Sequence, residues 1–201
     1  MREKPQLQLL ATAYRTDQLR TLRGPVVLFL GRSNVGKSSL LNALSGKRMA
    51  QVSKSPGKTR SVNYFQYGKK LNWVDLPGYG YAKRSKVERD HWAQLMKAFF
   101  ETLPAGALGF LLMDCKRDLE TQEEELIEAL LEHGHQVQIL MTKCDRLSQS
   151  DRKGRTGWMD NWVDQRNLES ILNWGFVSVK SREGLEEIRR LIYHYEKDHS
   201  L

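Results

Sequence analysis

The chain has 201 residues, 40% of them hydrophobic and 28% charged, which suits a globular fold with one sizeable core. Lys and Arg outnumber Asp and Glu by 32 to 24, a net charge of +8, so polyanions are the partners this surface favours. No run approaches the ~20 apolar residues of a membrane span, and the two cysteines, Cys115 and Cys144, exclude a disulfide framework and suit a reducing compartment.

Met1-Arg2-Glu3-Lys4-Pro5 lacks the apolar core of a signal peptide, and neither end offers a lipidation site. The expectation is a cytoplasmic protein without membrane insertion. The histidines are scattered, with no zinc spacing. Residues 1–24, polar with scattered leucines, read as an N-terminal extension with little chemistry, 25–197 as one domain and 198–201 as a tail. From residue 25 onward apolar strands alternate with helical stretches, which predicts an α/β fold with a mostly parallel sheet.

Val26 to Leu30 form a continuous apolar run, as expected of a buried parallel strand. It leads into Gly31-Arg32-Ser33-Asn34-Val35-Gly36-Lys37-Ser38-Ser39 and then a helical stretch. A glycine-rich turn is the bland reading, but strand, loop and helix in this order are what a phosphate-binding loop requires. Gly31 and Gly36 let backbone N–H groups point inward at a helix N-terminus, Lys37 reaches the β- and γ-phosphates, and the Ser38 hydroxyl suits Mg²⁺.

Met49 to Ser61 reads as a loop, and Val62–Tyr67 with Leu71–Asp75 as a hairpin at one edge of the sheet. Asp75-Leu76-Pro77-Gly78 follows a strand, so Asp75 can hold Mg²⁺ through a water while the Gly78 N–H meets the γ-phosphate. Trp92, Leu95, Met96, Phe99 and Phe100 share one helical face, read as core packing. Leu108–Met113 is a buried strand, and Thr121 to Glu124 read as a capping box opening a helix closed near Gly134.

Val137–Met141 leads into Thr142-Lys143-Cys144-Asp145. A carboxylate at Asp145 can accept from guanine N1–H and the N2 amine, whereas adenine would leave it desolvated and unpaired. Lys143 can lie over the base and tie back to the phosphate loop. After a last strand ending at Val177, Ser178-Val179-Lys180 can offer N–H groups to guanine O6 and a lysine stem to the base. All these loops follow strand ends, where ligands sit in open α/β sheets.

The ordered set resembles the translation-factor-like (TrmE-Era-like) GTPases, and within them the EngB family, also called YihA or YsxC. Gly31–Ser39, Ser55-Pro56-Gly57-Lys58-Thr59-Arg60 and Val74-Asp75-Leu76-Pro77-Gly78-Tyr79-Gly80-Tyr81-Ala82 carry that likeness. It implies a three-layer G domain, its central sheet mostly parallel with one antiparallel edge strand and helices on both faces. It also implies bound GTP or GDP with Mg²⁺, and a monomer acting with the large ribosomal subunit or its precursor, rRNA and ribosomal proteins. A role in the cell cycle, division and septation follows from the same likeness.

Under it Gly57, Lys58 and Thr59 belong to a first switch, with Thr59 the second Mg²⁺ hydroxyl, although the residues alone do not choose it over Ser53, Ser55 or Ser61. Val179 replaces the usual Ala of the last guanine motif. Where many relatives have a water-orienting glutamine, this chain has Tyr79, which predicts slow hydrolysis until a partner acts or Tyr79 retracts. Asn34 either seats a potassium ion near the phosphates or supports the loop backbone. Lys54, Lys58, Arg60, Lys83, Arg84 and Lys86 crowd the switches as an RNA-facing surface or a solvated rim. Arg152, Lys153 and Arg155 lie near Trp158 and Trp162, for which core packing is the expectation. Three readings stay open: a ribosome-assembly switch, a GTP-gated RNA-binding module, and a signalling or trafficking GTPase.

Overall fold

Strand β2 (Val26–Gly31) is buried along its whole length, and the fold is arranged about it. The computed structural model describes residues 7–46, 61–80, 85–169 and 172–199. In chain order follow α1 (Lys37–Ser45), β3 (Val62–Tyr67), β4 (Leu71–Asp75), α2 (Lys86–Glu101), β5 (Leu108–Asp114), α3 (Thr121–Glu132), β6 (Gln136–Thr142), α4 (Gln149–Asp164), β7 (Leu172–Val177) and α5 (Leu185–His199), with β1 (Leu7–Ala13) before β2. Among the described residues seven strands form one sheet, in the order β1-β3-β4-β2-β5-β6-β7.

From β4 to β7 every pairing is parallel, and β3 is antiparallel to both its neighbours. The mostly parallel sheet expected from the sequence is present. Its antiparallel strand lies one place in from the edge, because Leu7–Ala13 covers it. The stretch read as an extension with little chemistry thus supplies a strand. Leu7 and Ala13 are buried and the residues between largely are not, with an irregularity between Leu9 and Ala11, so no alternation marks the strand.

Strand alternation sorts the core into two layers. Val27 and Phe29 face α1 and α5, packing with Leu40, Leu41, Leu44, Ile188 and Ile192. Val26, Leu28 and Leu30 face α2, α3 and α4, with Leu95, Phe99, Ile127, Leu130 and Met159. Burying each such side chain contributes about 1.5–3 kcal/mol. Trp162 is buried and Trp158 is packed partly against the same core, as expected.

The α2 stripe buries Leu95, Met96 and Phe99, with Trp92 and Phe100 packed beside them. The α3 cap falls one residue earlier than expected, with Glu120 as N-cap and Glu123 closing the box. Tyr195 of α5 bridges the start of β2 and the turn before β5: its hydroxyl accepts from the Val26 N–H at 3.1 Å and donates to the Gly106 carbonyl at 3.0 Å. The last helix thereby fixes the first residue of β2.

Candidate functional site

The carboxyl ends of β2, β4, β6 and β7 all open onto one edge, and the predicted motifs meet there. Between β2 and α1 the chain turns through Asn34, at φ 65°, and Gly36, at φ 111°. Gly36 is the N-cap of α1, a conformation closed to most L side chains, so the first N–H groups of the helix face outward where anions bind. Lys37 opens that helix and is 7% exposed.

Lys37 Nζ donates to Asp75 Oδ1, and Asp75, at the end of β4, is only 3% exposed. Asp75 Oδ2 is approached by Asn63 Nδ2 at 3.5 Å, and Asn63 Oδ1 accepts from Thr12 Oγ1 at 2.9 Å. A row of polar side chains therefore runs across β1, β3 and β4 to the acidic group of the site. Sequence reasoning missed Thr12 and Asn63; the signal is their shared register with Asp75, which only strand pairing reveals.

Gly78 sits against the phosphate loop: a Cβ there would meet Ser33 Oγ at 3.0 Å and the Ser33 backbone N at 3.1 Å, so any other residue would press the two segments apart. The next residue holds them together through its backbone, the Ser33 N–H donating to the Tyr79 carbonyl at 3.1 Å. The Tyr79 ring turns away into the core, 2% exposed and edge-on to Trp92. Burial, and then the Glu123 carboxylate beside it, push its phenol well above the usual range. The ring already lies withdrawn, so its withdrawal is not a further step that could speed hydrolysis. Arg32 also points away from Lys37, pairing with Glu120 at 2.6 Å and facing Glu123 at 3.6 Å.

On the other side of the loop, the Thr142 hydroxyl lies 2.8 Å from the Val35 carbonyl and 3.0 Å from that of Met113. Lys143 ties back as anticipated, Nζ donating to the Asn34 carbonyl at 2.9 Å and to Asp114 Oδ2 at 2.8 Å. Burial pushes the Asp114 carboxyl up, but that ammonium and the Lys116 N–H hold it net below its usual value.

Ser178, 1% exposed, donates its hydroxyl to Asp145 Oδ1 at 2.6 Å and accepts from the Lys180 and Ser181 N–H groups. The Ser178 bond first, and the nearby Lys180 and Arg146, hold Asp145 below the usual carboxylate range. An ionised Asp145 therefore stands with its second oxygen near Lys180 Nζ, at 4.0 Å. These residues line a cleft of about 300 Å³ that reaches Gly36, Ser39 and Val177. Val179 and Lys180 are exposed at its rim, and Ser38 is half-buried at the start of α1.

Cys144 turns inward, its thiol donating to Glu183 Oε2 at 3.4 Å; burial and that carboxylate push it up to about 12, so it stays protonated. Arg155 is occupied with the loop after β5, donating to the Cys115 carbonyl at 2.7 Å and pairing with Asp118.

Gly57, Lys58 and Thr59 lie outside the described residues, as do Ser53, Ser55 and the basic residues Lys54, Arg60, Lys83 and Arg84. Of the hydroxyls weighed against Thr59, Ser61 is described; it is buried, its Oγ 3.4 Å from Asn63 Oδ1. Lys86 is exposed at the start of α2. Among the described residues no three acidic, His or Cys side chains gather to hold a metal, and no helix is long and apolar enough to cross a membrane.

A family model described as 50S ribosome-binding GTPase matches residues 26–143. "Probable GTP-binding protein EngB" of Thermosipho africanus is 36% identical over 189 residues, 92% of this chain and 94% of that one. The protein of that name from Chlorobium luteolum is 44% identical over 164 residues, covering 81% and 78%. Among solved structures, a probable GTP-binding protein engB aligns with a TM-score of 0.64 at 18% identity, over 87% of this chain and 99% of that one. Era in complex with MgGDPNP and nucleotides 1506–1542 of 16S ribosomal RNA aligns with a TM-score of 0.62 at 21% identity, over 88% and 57%. At those identities the two structures speak for the fold alone.

Proposed function

The chain belongs to the EngB family of GTP-binding proteins, and from that membership we propose that it is a nucleotide-dependent switch in assembly of the large ribosomal subunit. One observation carries the reading: the match to a family described as 50S ribosome-binding runs through the phosphate loop, Asp75 and Thr142-Lys143. The net charge of +8 suits an rRNA-rich partner. The protein then acts in the cytoplasm as a monomer, and its loss disturbs cell division and septation.

In this reading the N-terminus of α1 and Lys37 receive the β- and γ-phosphates. Asp145 accepts from guanine N1–H and its N2 amine, Lys143 covers the base, and the Ser178 loop offers N–H groups to O6. A site with one buried carboxylate and a hydroxyl suits Mg²⁺, a hard cation completed by phosphate oxygens and water. Ser38 and Asp75, the latter through a water, would hold it with Thr59, and it would neutralise phosphate charge. Gly78, touching Ser33, is placed to respond to a γ-phosphate.

Hydrolysis is slow without a partner, because the residue after Gly78 is a tyrosine, which has no side-chain amide to orient the attacking water. Asn34 is where potassium would act, and equal rates in potassium and sodium buffers would reduce its role to the left-handed backbone it supports.

Co-sedimentation with large-subunit precursors, with a GTP analogue or GDP over a salt series, tests the switch. Binding is expected to favour one nucleotide state; salt-sensitive binding indifferent to the nucleotide would overturn it.

A further inference from the structure

We infer that Arg152 of α4, acting through Glu183, is a positioning residue for guanine recognition. The inference rests on the reading of Asp145 as the guanine-binding carboxylate. Glu183 is a node. Its carbonyl accepts the Ser178 N–H at 3.0 Å, and its carboxylate accepts the Cys144 thiol at 3.4 Å. Ser178 is the residue bonded to Asp145, and Cys144 is Asp145's neighbour in the chain. Both walls of the base site, which arrive from β6 and β7, therefore converge on one residue, the β7 wall on its backbone carbonyl and the β6 wall on its carboxylate.

Arg152 holds that side chain at both oxygens, Nη1 donating to Oε2 at 3.2 Å and Nη2 pairing with Oε1. Its guanidinium also lies 4.5 Å from the centroid of the Phe176 ring, one residue before the end of β7. A planar fork gripped at both carboxylate oxygens and set against an aromatic ring has one orientation, which a lysine cannot reproduce. The Thr156 hydroxyl donates to the Arg152 carbonyl at 3.1 Å, within α4.

The pair does not serve as a pillar of the fold. Both side chains are well exposed, 40% for Arg152 and 38% for Glu183, and ion pairs so open to solvent add little to global stability. What the pair fixes is the Glu183 carboxylate, and with it the Cys144 side of a residue whose carbonyl holds Ser178, and through both where the Asp145 oxygens lie. Carboxylate recognition of guanine depends on that placement, since misplaced acceptors lose the advantage of the N2 amine.

The test compares Arg152→Ala, Arg152→Lys and Glu183→Gln with the parent protein, measuring dissociation of a fluorescent GDP and the affinity ratio of GDP to IDP, which lacks the N2 amine. Arg152→Ala and Glu183→Gln are expected to speed GDP release roughly tenfold, in keeping with binding changes that fall mainly on the off-rate. The GDP-to-IDP ratio should shrink several-fold, the double variant should be no worse than the worse single one, and lysine should restore only part. Faster release with an unchanged ratio would reduce Arg152 to a structural brace and overturn the inference, as would unchanged release. Should Arg152→Ala not fold, Arg152→Lys and Glu183→Gln carry the same test. Asp145→Asn is the separate control: if it does not move preference from GDP toward XDP, the base-site reading fails, whatever the Arg152 variants do.

Discussion

The backbone N–H of Ser33 donates to the carbonyl of Tyr79 at 3.1 Å, so the two segments are joined where no side chain is needed. The Tyr79 ring is left to the core, and among the described residues its hydroxyl has no hydrogen-bond partner, although Glu123 lies close. Removing that oxygen relieves a buried polar group. Tyr79→Phe is therefore expected to be neutral or to stabilise by about 1 kcal/mol in urea unfolding. Tyr79→Gln is expected to cost roughly 3 kcal/mol, from lost packing and a buried amide, without speeding single-turnover hydrolysis. A glutamine variant that is stable and fast would place this side chain at the phosphates instead.

Lys37 and Asp75 form an ion pair between two side chains that are almost fully buried. Breaking such a pair leaves an uncompensated charge, so Asp75→Ala should destabilise the nucleotide-free protein by roughly 3–5 kcal/mol. Saturating GDP should recover part of the loss, because phosphate gives the ammonium another partner. Urea midpoints of parent and variant, with and without GDP, measure both; equal midpoints without nucleotide would contradict the pairing.

His135 gives the fold an acid-sensitive joint. It is 6% exposed, and its Nδ1 accepts the Ala107 N–H at 3.2 Å, which requires the neutral ring. Burial, and then His133, lower its pKa from the ordinary 6.5. With the folded value depressed, the contribution is complete above the unfolded value near 6.5 and is lost as pH falls through the lower folded one. The thermal midpoint of the parent should drop more steeply between neutral pH and about pH 5 than that of His135→Gln. Parallel profiles would show that His135 titrates alike folded and unfolded.

Local signals made most of this legible. Val26 to Leu30 reads as a buried strand because parallel strands bury both faces, and the glycine spacing beyond it admits few other structures. Thr142 to Asp145 was readable for the same reason, a strand end followed by a fixed set of polar groups. β1 was not, because an edge strand buried chiefly at its ends leaves no alternation to see. The capping box of α3 slipped by one because Glu120, an uncommon N-cap, stands where Ser or Thr is favoured. Val179 departs from the usual last guanine motif, and the bond that ties Ser178 to Asp145 follows from no spacing in the sequence. Arg152 and Glu183 lie 31 residues apart, and no periodicity joins them; only the packing of α4 beside the loop after β7 does.

The place of β2 at the middle of the sheet has a consequence for how the protein comes off the ribosome that makes it. Gly31, at the mouth of the phosphate loop, pairs with Leu112, and Val26 is bonded to Tyr195. The segment that would grip phosphate is thus supported only by chain made after it, a strand some eighty residues downstream and the helix that begins at Leu185. The base wall at Ser178 arrives only shortly before that helix. A nascent chain accordingly cannot complete the site until α5 has been made, so products truncated before Leu185 should not compete for GTP.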